Sequence, residues 1–183
     1  IPKPFSFKEK LLHRLGWDAL VYQCCFPKDA GEAFFKQYDL IHLHDLPGFN
    51  VGHLSWLSRI RPVVWTLHSM HSFTGNCHYA YDCDRWQHQC GHCPAFGKWP
   101  LHWLSRDASR KVLQLRGDTY RQSDLHIVGV SEWVTLLARQ SILKDKPIHG
   151  ILNGVDPLIF CPEGDRNGIR QKLGIPNDAF VIT

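Results

Sequence analysis

Four cysteines lie close together in the middle of the 183-residue chain, spaced as Cys77-x5-Cys83-x6-Cys90-x2-Cys93. Thiolates are soft ligands, and four of them suit a closed structural zinc site. The short gap between Cys90 and Cys93 lets both sulfurs face one ion, and three histidines could replace a thiolate: His78, His88 and His92. Two other interpretations stay open, namely reduced thiols that pack a small aromatic-rich lobe, and disulfide or redox chemistry.

A second set of polar side chains follows short apolar runs, at the points where strands are expected to end. The runs are residues 40–43, 62–67, 125–130 and 148–152. The polar residues that follow and that form the candidate site are His44, Asp45, His68, Ser69 and Ser131. Ligands of parallel α/β sheets bind at the carboxyl ends of the strands, so we expect these side chains to lie along one edge.

The elements that position these residues are strands alternating with helices. We predict helices over residues 51–59, 131–141 and 169–173, with Ser131 as an N-cap and Gly174 as a helix end. Such alternation is typical of an α/β fold with a partial Rossmann-like parallel sheet. Two stretches interrupt it, a Cys- and His-rich insertion at 68–100 and a Pro- and Gly-containing linker at 153–168. A further strand is predicted at 180–183.

The composition narrows the class of protein. A hydrophobic content of 44% with 21% charged residues excludes a disordered chain. The absence of a run of about 18 apolar residues excludes a membrane-spanning helix. An odd total of 7 cysteines, with one tight cluster, does not fit a secreted disulfide framework and favours the reducing cytoplasm.

A mild excess of positive charge supports an alternative function. The net charge is +4, and the segment 105–122 would place Arg106 and Arg110 on one face of a helix. A zinc-stapled binding module that contacts nucleic acid or an anionic surface would carry such a helix. The polar strand ends and the linker favour an enzyme over this module.

A long ordered string of residues carries a resemblance to a known family. Residues 62–70 and 73–79 together resemble the amino-terminal domain of retaining family-4 glycosyltransferases, in the subgroup that builds bacterial exopolysaccharide. Residues 39–44, 90–94 and 153–156 are also similar to that family. Two positions depart from its pattern, since Ser69 stands where the family usually has Asp, and Asp45 where it often has Trp.

The resemblance implies an activity and its partners. The expected reaction transfers a hexose from a nucleoside-diphosphate sugar to a saccharide or lipid-linked acceptor, with retention at the anomeric carbon. The family places a histidine at the position of His68 close to the transferred sugar, so His68 is the expected catalytic residue, with His44, Asp45, Ser69 and Ser131 as substrate-binding candidates. No metal cofactor is expected for catalysis, so zinc at the cysteines would be structural. No nucleic-acid partner is expected, and a cytoplasmic location at the inner face of the membrane would suit a lipid-linked acceptor.

The resemblance also implies a domain organisation. Residues 1–152 would form an incomplete, acceptor-side half of a two-domain glycosyltransferase of the GT-B fold. Residues 153–168 would be the linker, and residues 169–183 the start of the donor-binding domain. The chain is therefore expected to be an internal fragment that does not catalyse transfer alone.

Overall fold

A four-stranded parallel sheet forms the centre of the chain. The structure, a computed structural model, describes residues 7–17, 28–45, 51–98, 105–160 and 164–182. The strands are β1 (Ile41–His44), β2 (Val63–Leu67), β3 (Leu125–Gly129) and β4 (Ile148–Gly150), adjacent in the order β1-β2-β3-β4. Ile41 pairs with Val63, Val63 with Leu125, and Ile127 with Ile148. The predicted α/β fold with a Rossmann-like parallel sheet is confirmed.

Helices connect the consecutive strands. They are α3 (Gly52–Ile60), α4 (Ser109–Arg121) and α5 (Glu132–Arg139), preceded in the chain by α1 (Phe7–Arg14) and α2 (Lys28–Phe35). Right-handed crossovers between neighbouring strands in a monotonic order place α3, α4 and α5 on one face of the sheet. Among the described residues, no helix is long and apolar enough to cross a membrane.

The core lies between the sheet and these helices. Strand alternation directs Ile41, Leu43, Trp65 and Ile127 into it, while His42 and His126 lie on the opposite, exposed face. The Trp65 ring is fully buried and meets the Tyr120 ring of α4 edge-on, with 5.5 Å between ring centroids. Each of β1, β2 and β3 contributes every second residue to this core, and these buried residues are the apolar ones that mark the strands in the sequence.

The segment between β2 and α4 has little regular secondary structure. It contains two short 3-10 turns, His71–Phe73 and Arg85–Gln87. Phe73 and Trp86 are buried and their rings pack 5.6 Å apart. Residues 99–104, which include the end of the predicted insertion, lie outside the described part of the chain. Within the described part of this segment, residues 71–74 are held by hydrogen bonds from side chains of α4.

The chain divides into two compact units, Ile1–Leu152 and Asn153–Thr183. The second contains α6 (Arg166–Leu173). Asp165 caps this helix by accepting a hydrogen bond from the Gly168 N–H at 2.8 Å, and Gly174, with φ +66°, ends it. The predicted helix and its end at Gly174 are confirmed, with a start three residues earlier than expected, at Arg166.

The strand predicted at 180–183 is wrong for residues 180–182, which are in no strand, while Thr183 lies outside the described residues. The physical reason is local. The carbonyls of Pro176 and Ala179 accept hydrogen bonds from the Arg170 guanidinium at 2.6 and 3.0 Å. These bonds hold the segment just before residue 180 against α6, and a β-branched run forms a strand only beside a pairing partner.

The helix face predicted to carry Arg106 and Arg110 is wrong. Arg106 precedes α4 and so shares no helix face with Arg110. Arg116 is 3% exposed and points into the protein rather than to solvent. Part of the positive charge of this segment is therefore buried. The alternative function, a module that binds an anionic surface, no longer has a basic helix face to support it.

Candidate functional site

The carboxyl ends of β1 and β2 bring three of the expected site residues together. The His44 Nδ1 and His68 Nε2 atoms are 3.1 Å apart, and the Asp45 carboxylate accepts a hydrogen bond from the His68 backbone N–H at 3.1 Å. Asp45 is in turn held by its own N–H, which donates to the Thr66 carbonyl at 3.0 Å. We call residues 44–45, 68–69 and 130–131 the strand-end edge.

The His44–His68 contact fixes how the two rings carry protons. A hydrogen bond between the two nitrogens needs one to donate and the other to accept, so the tautomers of the two rings are coupled. Both side chains are exposed. A ring held in this way can present a defined donor or acceptor to a bound hydroxyl group.

His42 joins this pair, although the candidate set did not include it. Its Nε2 lies 2.8 Å from the Thr66 hydroxyl, and its ring is 4.4 Å from that of His44. Partial burial of the ring, and then the neighbouring His44, lower the pKa of His42. The period-2 alternation of a strand was the available signal, because it places His42 and His44 on one face.

Ser69 and Ser131 lie on the same edge but make structural contacts. The Ser69 hydroxyl is 3.3 Å from His78 Nδ1 and accepts a hydrogen bond from the His71 N–H at 3.3 Å. The Ser131 hydroxyl accepts from the Val134 N–H at 3.3 Å, which confirms it as the N-cap of α5. The Val130 N–H donates to the Leu67 carbonyl at 3.4 Å and so joins β2 to the start of α5.

A buried cation holds the loop that follows His68. Arg116 donates hydrogen bonds to the carbonyls of His71 and Thr74. Tyr120, one turn further along α4, donates from its hydroxyl to the Ser72 carbonyl at 2.6 Å. We call Arg116 and Tyr120 the α4 clamp. In the sequence, Arg116 is only one of the basic residues of the segment 105–122.

Two histidines of this loop stack on one another. The His71 and His78 rings are 4.7 Å apart with planes at 16°. Burial, and then the nearby positive charge of Arg116, lower the pKa of His71 well below its ordinary value. A neutral His71 can therefore lie beside the guanidinium without charge repulsion.

The cysteines predicted as metal ligands surround one small cavity. Cys77, Cys83, Cys90 and Cys93 are free thiols, and all four line a space of about 20 Å³. The Cys77 thiol donates a hydrogen bond to Cys93, which lowers the pKa of Cys93 to about 6, and the same bond raises the pKa of Cys77. Burial raises the pKa of Cys90 to about 11.

The backbone around Cys90 and Cys93 is fixed by neighbouring polar groups. Cys90, Gly91 and His92 all have positive φ angles, of +47°, +86° and +47°. The Asp107 carboxylate accepts from the Cys93 N–H at 2.8 Å. Burial raises the pKa of Asp107, but its hydrogen bonds from Ser109 and Cys93 outweigh burial, so its pKa is lowered.

Within the described ranges, no three or more His, Cys, Asp and Glu side chains are arranged to hold a metal ion. Zinc at these cysteines stays a prediction. The three other cysteines, Cys24, Cys25 and Cys161, lie outside the described residues.

Comparison with known proteins decides the family. The family model described as Glycosyltransferase Family 4 matches residues 9–157. The chain belongs to glycosyltransferase family 4. The match contains both the His44–His68 pair and the four cysteines, and the family predicted from residues 62–79 is confirmed.

A relative in Escherichia coli strain K12 is 27% identical over 128 residues, and its name assigns it to colanic acid biosynthesis as the glycosyl transferase WcaC. The alignment covers 65% of this chain and 29% of the relative. This family-4 chain therefore spans less than a third of the length of that relative.

Proposed function

We propose that this family-4 chain is the acceptor-side part of a retaining glycosyltransferase of exopolysaccharide synthesis. The donor would be a nucleoside-diphosphate hexose and the acceptor a saccharide, free or lipid-linked. Family membership and the similarity to a glycosyl transferase of colanic acid biosynthesis support this proposal. The observation that carries it is the His44–His68 pair at the strand-end edge, with Asp45 bonded to the His68 backbone.

The proposed transfer is accelerated by oriented dipoles around the sugar ring rather than by a strong acid. The bond from the anomeric carbon to the diphosphate oxygen breaks, and a bond from the same carbon to an acceptor hydroxyl oxygen forms. The acceptor proton leaves with the diphosphate or with water. Because positive charge develops on the sugar ring, preorganised hydrogen bonds to its hydroxyls lower the barrier.

His68 would make such a bond. It lies one residue beyond β2, where its backbone is held by Asp45 and its ring by His44. His44 would act as a positioning residue, since it selects which His68 nitrogen carries the proton. Ser69 and Ser131 would shape the edge through the contacts described above.

The donor would be bound by a second domain. Residues 153–168 would form the linker to it, and residues 169–183 its beginning. A chain limited to these residues is then expected to bind acceptor sugars without transferring a hexose. Association with the inner face of the membrane would follow from use of a lipid-linked acceptor.

The test is turnover of the parent protein that contains this segment, with a panel of UDP- and GDP-hexoses as donors. We expect His68→Ala to lower turnover by about one to three orders of magnitude, as loss of one preorganised group does. His126→Ala is the matched control, because His126 is an exposed histidine of β3 that stacks on His149, 6.4 Å away. Unchanged turnover in a folded His68→Ala protein would refute the role of His68.

A further inference from the structure

Two exposed aromatic rings stack on each other beside the strand-end edge. The Tyr79 and Trp133 rings are 5.5 Å apart with planes at 24°. Tyr79 is 56% and Trp133 46% exposed, whereas Trp65 and Trp86 are buried in the core. Tyr and Trp rings combine an apolar body with a polar tip, which suits a surface that binds a partly hydrated ligand.

Each ring is attached to an element of the edge. Trp133 is the second residue of α5, directly after Ser131 and Glu132. Tyr79 follows His78, whose carbonyl accepts from the Met70 N–H at 3.0 Å and whose ring contacts Ser69. The pair therefore bridges the loop after β2, in which His78 contacts Ser69, and the helix after β3.

The backbone under both rings is well fixed. The start of α5 is held by the Ser131 cap and by close packing of Thr135 on Gly129, where a Cβ would come within 2.2 Å of the Thr135 hydroxyl. On the other side, Ala80 is buried. Preorganisation of this kind reduces the entropy that a bound ligand must remove.

The surface fits a sugar ring better than a nucleotide. A pyranose has a face of C–H groups that stacks on the negative face of an aromatic ring, and hydroxyls around its rim. Exposed Glu132, next to Trp133, offers a carboxylate that accepts from hydroxyls but repels a phosphate. A nucleotide base would also stack on aromatic rings, but its phosphates would then lie near this charge.

We propose that Tyr79 and Trp133 form the stacking surface for one pyranose ring of the acceptor saccharide. This proposal rests on the proposed glycosyltransferase function and assigns it an acceptor subsite. Trp133 supplies the larger ring, Tyr79 holds it in place, and the sugar lies between this pair and His68.

The first experiment measures binding without any activity. The chain is labelled with ¹⁵N at its tryptophans, and the Trp133 indole signal is assigned through Trp133→Phe. Methyl β-galactoside and methyl β-glucoside are titrated to about 100 mM, with UMP as the nucleotide probe. We expect a glycoside to shift the Trp133 signal, while the signals of buried Trp65 and Trp86 stay in place.

Two variants test whether the glycoside response at Trp133 depends on its stacking partner or on any exposed tyrosine nearby. Tyr79→Ala should weaken the glycoside response at Trp133 by about fivefold or more. Tyr81→Ala is the matched control, since Tyr81 lies two residues away and is 85% exposed, and it should leave the response unchanged. Absence of a glycoside shift, a response to UMP alone, or an equal effect of both variants would overturn the proposal.

The second experiment uses the parent protein. Trp133→Ala should raise the KM for the acceptor about tenfold or more with a smaller change in kcat, whereas the control Tyr81→Ala should leave both constants unchanged. An unchanged acceptor KM would overturn the subsite. If no donor is turned over by the wild-type protein, the proposed function fails, whereas the glycoside titration still decides whether the aromatic pair binds sugars.

Discussion

Replacement of Arg116 by methionine tests whether the α4 clamp holds the loop after His68. Arg116 is 3% exposed and donates to the carbonyls of His71 and Thr74. Methionine fills a similar volume with an apolar chain, so the packing of α4 is largely preserved. What changes is that two carbonyls lose a charged donor and His71 Nε2 loses the Arg116 Nη2 atom 3.4 Å away.

The magnitude follows from these two bonds. Leaving a buried acceptor without its partner costs about 1–3 kcal/mol, so two carbonyls give roughly 2–6 kcal/mol. Removal of a buried charge offsets part of this cost, because its desolvation no longer opposes folding. We expect a net loss of about 2–4 kcal/mol in the free energy of unfolding, and a Tm lower by about 5–15 °C.

The assay is urea and thermal unfolding of the chain, followed by circular dichroism. Lys111→Met is the matched control on the same helix, because Lys111 is exposed, and it should change stability by less than about 0.5 kcal/mol. Arg116→Lys keeps the charge but lacks the planar fork that reaches both carbonyls, so its stability should lie between wild type and Arg116→Met. A loss below about 1 kcal/mol for Arg116→Met would refute the clamp.

Three further predictions concern other parts of the chain. Gly129→Ala should lower the free energy of unfolding, measured in urea, by about 1–3 kcal/mol, because the added Cβ would lie 2.2 Å from the Thr135 hydroxyl and 3.0 Å from the Thr135 Cα. Unchanged stability would contradict this packing. The pKa of His71, which faces Arg116 and His78, is lowered from 6.5, so on acidification the unfolded chain binds a proton that the folded chain does not. The free energy of unfolding should therefore be highest above about pH 6.5 and fall below it. His71→Gln should narrow the difference in Tm between about pH 7.5 and about pH 5.5. The four cysteines line one cavity but are not arranged around an ion in the described structure, so zinc would have to draw them together. Elemental analysis should then find about one zinc per chain, lost in Cys93→Ser and kept in His88→Ala, whereas a metal-free chain with reactive thiols would contradict the zinc prediction.

Local signals in the sequence were enough to predict the four strands and the helices α3, α5 and α6, but not α1 and α2. Ser131 caps α5 and Gly174 ends α6 because each acts through its own backbone neighbours. The four strands coincide with short runs whose core-facing residues are apolar, although β1 alternates these with exposed His42 and His44. The strand ends in turn placed His44 beside His68, since parallel pairing aligns neighbouring carboxyl ends.

The features that sequence reasoning missed depend on contacts distant in sequence. Arg116 has the local pattern of a solvated basic residue, and only the approach of residues 71–74, more than 40 positions away, shows that it is buried. The run at 180–182 has the composition of a strand, but strand formation depends on a partner that composition does not report. The stacking of Tyr79 on Trp133 likewise joins two segments separated by α4 and β3.

The position of His68 depends on two structures that can be perturbed separately. On one side, the paired part of β2 ends at Leu67, and register with β1 brings His44 and Asp45 alongside. On the other side, the loop that leaves His68 is tied to α4 by Arg116. A variant of the clamp should therefore loosen the loop while β1 and β2 stay paired. Because Ser69, His78 and Tyr79 belong to that loop, acceptor binding should be more sensitive to the clamp than the His44–His68 contact is.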